Sequence, residues 1–407
     1  MTAAIARKGH QPPVYLDYQA TTPCDPRVVQ AMLPWFTEKF GNPASITHAY
    51  GREAEAAVEK ARAQLASLIK ADAREIVFTS GATEANNIAV KGALRFHKRF
   101  GPDNQGRDRI VTLVTEHKCV LESAKAMEAE GFRATYLPVE RNGLVDLERL
   151  KEAIDDKTAI VSVMAAHNEI GVIQPLAEIG ALCRARGVLF HTDAAQAVGK
   201  IQVDVDAMSI DLMSISGHKI YGPKGIGALY LRRRPRARIT ALIDGGGQER
   251  GMRSGTLPTP LCIGLGEAAS LAEAEMAGEA KRLTALRQRF LAGVLAALPQ
   301  TKLNGDPERR LPGNLNLSFP GVPALALMAG CPGLALSTGS ACTAAEIEPS
   351  FVLRALGVSD DLAAASLRIG LGRFTTADEV DYAVSALAAG VRQLGAAGVT
   401  TKLAATT

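Results

Sequence analysis

Lys219 stands where an amine can do chemistry. An apolar, strand-like run, Ile210 to Ile215, ends in Ser216-Gly217-His218-Lys219. A glycine-rich turn follows, then a second strand-like run from Ala228 to Leu231. Lysine is seldom buried without a partner. Burial lowers the pKa of an ammonium and leaves a nucleophilic amine, the group that Schiff-base chemistry with an aldehyde cofactor needs. The alternative is a solvated lysine at a strand end.

Further polar clusters follow other apolar runs. Thr79-Ser80-Gly81-Ala82-Thr83-Glu84 lies between a strand pattern and a helix pattern. A helix N-terminus behind a glycine turn offers N–H groups and a positive dipole end, which suits a phosphate; Thr83 as a simple helix cap is the alternative. His191-Thr192-Asp193-Ala-Ala-Gln196 places a carboxylate without a partner in sequence after a strand. Asp193 suits a charge-assisted bond to a pyridinium N–H, or a cap or salt bridge. Thr115-Glu116-His117-Lys118 and His167-Asn168-Glu169 end two more strands. A lone His117 reads as structural or catalytic. One ligand would explain all five clusters, because ligands of α/β sheets bind beyond the carboxyl ends of the strands.

Cys342 lies in the small-residue loop Ser337-Thr-Gly-Ser-Ala-Cys-Thr343. An accessible, partly ionised thiol is a nucleophile, and proteins usually avoid exposed free cysteines that serve no purpose. Cys24, Cys119, Cys183, Cys262 and Cys331 are scattered with no C-x-x-C pair, which suggests neither zinc nor a disulfide framework. Cys183 and Cys262 read as small core hydrophobes.

The elements that must position these groups alternate. Strand patterns fall at Glu75–Thr79, Arg109–Thr115, Ala134–Leu137, Ala159–Met164, Val188–Thr192, Leu212–Ile215 and Ala228–Leu231. Their continuous apolar runs suit a parallel sheet buried on both faces. Helix patterns at Arg52–Lys70, Glu84–Phe100, Val120–Glu130, Asp146–Ile154 and Leu176–Arg186 complete a βαβ grammar, hence an α/β fold. The rhythm changes near residue 262. A long helix, Ile263–Leu298, then leads into shorter strands and helices of α+β type. The expected division is an N-terminal arm (1–27) joining the small domain, a large domain (28–262), a small domain (263–394) carrying the Cys342 loop, and a disordered tail (395–407).

The chain has 407 residues and a net charge of +4, with 47% apolar and 22% charged residues. No basic cluster is interleaved with aromatics, so nucleic-acid binding has no support. Arg232-Arg233-Arg234 follows a strand and reads as a solvated turn. Apolar runs are too short to span a membrane, the first residues lack an apolar signal region, and a reducing cytoplasm is the expected compartment.

The sequence resembles the cysteine desulfurases of NifS/IscS type, within the class V aminotransferase family of pyridoxal-phosphate enzymes. The matching stretches run from about Val14 to about Leu394. They include Tyr15-Leu-Asp-Tyr-Gln-Ala-Thr-Thr22, Phe40-Gly-Asn-Pro-Ala-Ser45, Phe78-Thr-Ser-Gly-Ala-Thr-Glu84, Thr115-Glu-His117, Asn168-Glu-Ile-Gly171 and His191-Thr-Asp-Ala-Ala-Gln196. Ser216-Gly-His-Lys219, Gly245 to Thr256, Gly339-Ser-Ala-Cys342 and Leu367-Arg-Ile-Gly-Leu-Gly-Arg-Phe374 complete them. The Cys342 loop resembles that of the long-loop group I enzymes. The resemblance implies fold type I, with a mainly parallel seven-stranded sheet and a smaller α+β domain.

It also implies roles. Lys219 would carry pyridoxal 5'-phosphate, Asp193 would pair with its ring nitrogen, and Gln196 would bond its phenolic oxygen. Ala82, Thr83, Ser216, Gly217 and His218 would cradle the phosphate. Thr256 would reach the cofactor of a neighbouring subunit, implying a homodimer. His117 would stack on the ring and help move protons, and Asn168 and Arg368 would hold the substrate carboxylate. The implied reaction turns L-cysteine into L-alanine and leaves the sulfur on Cys342 as a persulfide. That sulfur would pass to an acceptor protein, for iron–sulfur assembly or another sulfur-transfer pathway. Selenocysteine lyase or β-eliminating chemistry on the same scaffold is an alternative, and a sulfur-carrier or cluster-binding protein is another. Pro323 to Gly330 is shorter and less acidic than the family pattern. His167 stands where asparagine is common. The chain ends Gly-Val-Thr-Thr-Lys-Leu-Ala-Ala-Thr-Thr where housekeeping members carry an aromatic-containing tail, so the acceptor stays open.

Overall fold

The computed structural model describes residues 13–100, 106–339 and 349–396. They form two compact units. One comprises Gln19–Ala280 with Gly305–Leu311; the other comprises the residues up to Tyr18, Lys281–Asn304 and the residues from Pro312 onward.

The chain opens with β1 (Val14–Tyr15), α1 (Pro26–Met32), α2 (Pro34–Thr37) and α3 (Ala49–Leu68). Asp25 starts α1, accepting the Arg27 N–H at 3.0 Å just before a proline that needs no donor. The larger unit then alternates as the sequence implies. β2 (Ile76–Thr79), α4 (Ala82–Phe100), β3 (Arg109–Leu113), α5 (Lys118–Ala129), β4 (Arg133–Leu137), α6 (Leu147–Ala153) and β5 (Thr158–Ser162) come first. α7 (Leu176–Ala185), β6 (Leu189–Asp193), β7 (Leu212–Ser216) and β8 (Gly227–Leu231) follow, and then α8 (Thr259–Ala297).

Seven strands form one sheet in the order β2-β8-β7-β6-β5-β3-β4. β8 is antiparallel to both of its neighbours, and the other pairs are parallel. Adjacent strand residues enter different cores. Ile76, Phe78, Val111, Val161 and Met213 pack with Val58 and Ala61 of α3, Ile179 and Cys183 of α7, and Cys262 and Leu265 of α8. Val77, Ile110, Ile160, Leu212 and Leu229 pack with Ala85, Ile88, Ala89 and Leu94 of α4. The sheet is therefore covered on both faces, which is why its strands read as unbroken apolar runs rather than alternating ones. Each fully buried aliphatic side chain contributes about 1.5–3 kcal/mol. Cys183 and Cys262 are fully buried, as small core residues.

The Arg232–Arg234 run departs from the expected solvated turn. Arg233 and Arg234 are exposed, but Arg232 is buried. Strand alternation sets Arg232 beside Tyr230, over whose ring its guanidinium lies at 6.0 Å. Its Nε donates to the Ile210 carbonyl at 2.8 Å, and it pairs with Asp206 and Asp211.

The other unit has its own core. β9 (Lys302–Leu303), β10 (Asn314–Ser318), α9 (Ala324–Gly330), β11 (Leu334–Ala335), α10 (Phe351–Ala355), α11 (Asp360–Ala364), β12 (Ser366–Gly370) and α12 (Ala377–Ala396) belong to it. β12, β10 and β9 make a three-stranded sheet, and β1 pairs with β11. Phe290, Leu315, Leu317, Leu367, Ile369 and Leu387 fill the space between these strands and helices. The sequence rhythm changes at residue 262, whereas the units divide inside α8, between Ala280 and Lys281. Among the described residues, no helix is long and apolar enough to cross a membrane.

Candidate active site

One edge of the large sheet gathers the polar clusters. β3, β5, β6 and β7 are parallel, and β2 runs the same way because two antiparallel steps separate it from β7. The carboxyl ends of all five strands therefore share an edge, where α/β sheets bind ligands. Thr79, Thr115, Ser162, Asp193 and Ser216 lie at or just beyond those ends.

Asp193 ends β6 and is buried. Its Oδ1 accepts the Ala195 N–H at 3.0 Å, and its Oδ2 accepts from Asn86 Nδ2 at 2.7 Å. The same Asn86 nitrogen lies 3.0 Å from Cys119 Sγ, which lies 3.0 Å from His117 Nδ1. His117 caps α5, and its Nδ1 accepts the Cys119 N–H at 3.2 Å. A ring nitrogen that accepts carries no proton, so the neutral imidazole holds its proton on Nε2. Burial lowers the His117 pKa, against the pull of Asp193 and with the help of Lys219 and Lys118. Its ring is thus neutral at pH 7. Burial drives the Cys119 thiol far up, reinforced by Asp193, so this sulfur stays protonated.

Glu116, next in sequence, is buried and accepts the Met164 N–H at 2.8 Å. Burial raises its carboxyl well above the usual range. His167 Nε2 donates to the Thr115 carbonyl at 2.7 Å and its Nδ1 accepts the Glu169 N–H at 3.0 Å. That imidazole ties the loop holding half-buried Asn168 to the loop holding His117.

Lys219 follows β7 in a short 3-10 turn and is half-buried. Its Nζ donates to the carbonyls of Gln19 and Ala20 at 2.6 and 2.7 Å. Gln196 Nε2 donates to the same Gln19 carbonyl at 2.8 Å, and Lys200 Nζ donates to Gln196 Oε1 at 2.7 Å. His218 Nδ1 lies 3.0 Å from Thr21 Oγ1, and burial, then Lys219, pushes its pKa down to about 4. The segment Gln19–Thr22 thus joins Lys219, His218 and Gln196.

The turn Ser80-Gly81 opens α4. Gly81 has φ +151, a conformation that side chains rarely adopt. It also packs on Gly227 so closely that a Cβ there would fall 2.6 Å from Gly81 Cα. Ala82 and Thr83 are the first helical residues, and their N–H groups precede the intrahelical ladder. Glu84 accepts the Ser80 N–H at 2.9 Å and Arg253 Nε at 2.8 Å. This links the α4 start to the segment carrying Thr256. Thr256, Asn42, Arg62, Gln248, Glu249 and Arg250 line a cleft of about 250 Å³.

In the other unit, Arg368 is buried in β12. Its Nη2 donates to Asp17 Oδ1 at 2.6 Å and reaches Ser337 Oγ at 3.4 Å. Cys342 lies outside the described residues. Among those on either side, Gly339 N–H donates to Ser337 Oγ at 3.0 Å and Ser350 caps α10.

A family model described as aminotransferase class-V matches residues 14–383. The chain belongs to this family. Within it, the cysteine desulfurase of Pongo abelii is 58% identical over 382 residues, covering 94% of this chain and 82% of that protein. The cysteine desulfurase IscS of Rickettsia rickettsii (strain Iowa) is 56% identical over 384 residues, covering 94% of this chain and 92% of its own. The solved structure of a NifS-like protein superposes with a TM-score of 0.86 at 35% identity, covering 94% of this chain and all of that one. DndA from Streptomyces lividans gives a TM-score of 0.74 at 41% identity, covering 87% and 98%. The chain is of the NifS/IscS type, with the fold of those class V enzymes.

The structure brings His117 and Asp193 into one bonded cluster, and Lys219, Gln196 and His218 into another. Sequence reading missed the links: Asn86, Cys119, Glu84 and the Gln19–Thr22 segment. An asparagine on the apolar face of α4, four residues after Ala82, was the available signal for Asn86.

Proposed function

We propose that this chain is a cysteine desulfurase that uses pyridoxal 5'-phosphate. It converts L-cysteine to L-alanine and hands the sulfur to an acceptor protein. The observation that carries the reading is the Lys219 amine, half-buried and bonded to two backbone carbonyls, on the sheet edge that also presents Asp193.

The donor set fits the cofactor. Lys219 offers an amine to the aldehyde, and buried Asp193 offers a carboxylate to the ring N–H. Ala82 and Thr83 offer helix-terminal N–H groups to the phosphate, aided by Ser216, Gly217 and His218. Gln196 would bond the phenolic oxygen, and Thr256 would serve the cofactor of the partner subunit in a homodimer. When bound, pyridoxal phosphate supplies an electron sink for charge left at the substrate Cα.

The protein's own groups do the rest. Arg368, aligned by Asp17, and Asn168 hold the substrate carboxylate. With the cofactor bound, Lys219 Nζ would be the base that takes the substrate's Cα proton. His117 would stack on the ring and help move protons, its neutral form first taking up a proton before it can return one. The Cys342 thiolate attacks the substrate sulfur. A sulfur–sulfur bond forms, the Cβ–S bond breaks, and its electron pair leaves with the carbon, which takes up protons to give alanine. The persulfide then moves to an acceptor in the cytoplasm, an iron–sulfur scaffold or another sulfur carrier. The test is alanine formation from L-cysteine, with and without a thiol reductant. Turnover that needs the reductant, with a persulfide on Cys342, supports the reading. Alanine-free release of sulfide with pyruvate overturns it in favour of β-elimination.

A further inference from the structure

Asn86 stands out because its side chain is fully buried yet lies inside a helix, where asparagine is a poor former. Among the described residues, its Oδ1 has no hydrogen-bond partner. A buried amide oxygen without a partner is costly, and the bonds made by the nitrogen offset that cost. That nitrogen donates to Asp193 Oδ2 at 2.7 Å and to Cys119 Sγ at 3.0 Å. The carboxylate is an acceptor only, which fixes which way the amide faces.

We propose that Asn86 is a positioning residue that holds the Asp193 carboxylate for the cofactor's ring nitrogen through an uncharged donor. The inference rests on the function proposed above. Asn86 on Oδ2 and the Ala195 N–H on Oδ1 give each carboxylate oxygen a neutral donor, and Cys119 Sγ lies 3.9 Å from Oδ2 as well. A charged donor at residue 86 would compete with a ring cation for Asp193; an amide does not. The same amide donates into Cys119 Sγ, which lies 3.0 Å from His117 Nδ1 and 3.9 Å from Asp193 Oδ2. Asn86 thereby joins the carboxylate and the imidazole through one side chain.

Two variants test this in the full-length protein. In Asn86→Leu, Asp193 loses a donor, and pyridoxal phosphate should bind about tenfold or more weakly than to wild type. Cys119→Ala leaves the Asn86–Asp193 bond in place and should weaken binding less than Asn86→Leu does. Asn86→Asp places a carboxyl against Asp193, with Cys119, His117 and Glu116 as the other titratable groups at hand. At low pH the pair shares a proton and the bond survives; as pH rises, both ionise and repel. Its dissociation constant relative to wild type should therefore climb about tenfold between pH 6 and pH 9. The cofactor-free protein gives a second readout. The introduced carboxyl has a raised folded pKa, so the Asn86→Asp melting temperature should fall below that of wild type by a gap that widens as pH rises. Wild-type affinity in Asn86→Leu, or a flat ratio and a flat gap in Asn86→Asp, overturns the positioning role alone. A wild-type protein that takes up no pyridoxal phosphate overturns the cofactor reading as well.

Discussion

Glu249→Ala should be among the more destabilising single changes in the larger unit. Glu249 and Arg62 are both buried, with side-chain exposures of 1% and 3%. Two parallel bonds of 2.7 Å join them, and the Phe78 N–H donates to the same carboxylate at 2.6 Å. Removing the carboxylate leaves a buried guanidinium without its main counter-ion and a strand N–H without its acceptor. Breaking a buried pair in this way costs about 3–5 kcal/mol. Unfolding entropy is about 2.1 cal/mol/K per residue, so over a chain of this length each kcal/mol moves the melting point by about 1 °C. The expected loss is about 4–6 °C. Arg62 supplies an internal control, because its Nε also bonds Glu59 at 3.0 Å and that carboxylate is 55% exposed. Glu59→Ala should cost no more than about 1 kcal/mol, or 1 °C. Thermal melts of the cofactor-free variants, followed by circular dichroism, decide it. Equal shifts for Glu59→Ala and Glu249→Ala would refute the argument from burial. The change should reach the site too. Glu249 and Arg250 hold positive φ values of 49° and 57°, in the segment leading to Thr256. That strained backbone persists only while its surroundings fix it.

Lys219→Ala should lose the visible absorption of bound pyridoxal phosphate and all alanine formation; a variant that keeps both would remove Lys219 from the mechanism. Cys342→Ala should keep that absorption while forming no persulfide, read by mass spectrometry after incubation with L-cysteine; sulfide release at the wild-type rate would show that no cysteine nucleophile is needed. His191 is fully buried between Ser162 Oγ and Ser214 Oγ, and burial lowers its pKa to about 3. Its unfolded pKa is about 6.5, so stability is complete above that value and falls as pH drops toward 3, by about 2 kcal/mol at pH 5. His191→Asn should show a smaller loss of urea resistance between pH 7 and pH 5; an unchanged loss would place the acid sensitivity elsewhere.

Most strands of the large sheet were legible because they are apolar runs covered by both cores, a pattern that needs no partner to be seen. Strand direction was not. Nothing in Ala228–Leu231 says that β8 runs against its neighbours, since side-chain alternation is the same either way. α1, α2 and β1 escaped notice because they are short and lie in a segment with little apolar periodicity. At the site, Lys219, Asp193 and His117 were visible because each ends a strand and carries reactive chemistry. Asn86 was not, since its meaning comes from Asp193, more than a hundred residues away, and Gln19 acts through a carbonyl that every residue possesses. Arg232 misled because a run of three arginines does not reveal which one strand alternation turns inward.

The electrostatics of the sheet edge have a common logic. Burial holds His117, His191 and His218 below the ordinary imidazole range, so none brings a positive charge at neutral pH. Glu84, the carboxylate nearest the α4 start, is matched by Arg253. An anionic phosphate there would meet aligned N–H dipoles and hydroxyls rather than mobile cations. Such donors are fixed by the backbone and do not titrate. Asp193 likewise relies on an amide and a backbone N–H, not on a counter-ion.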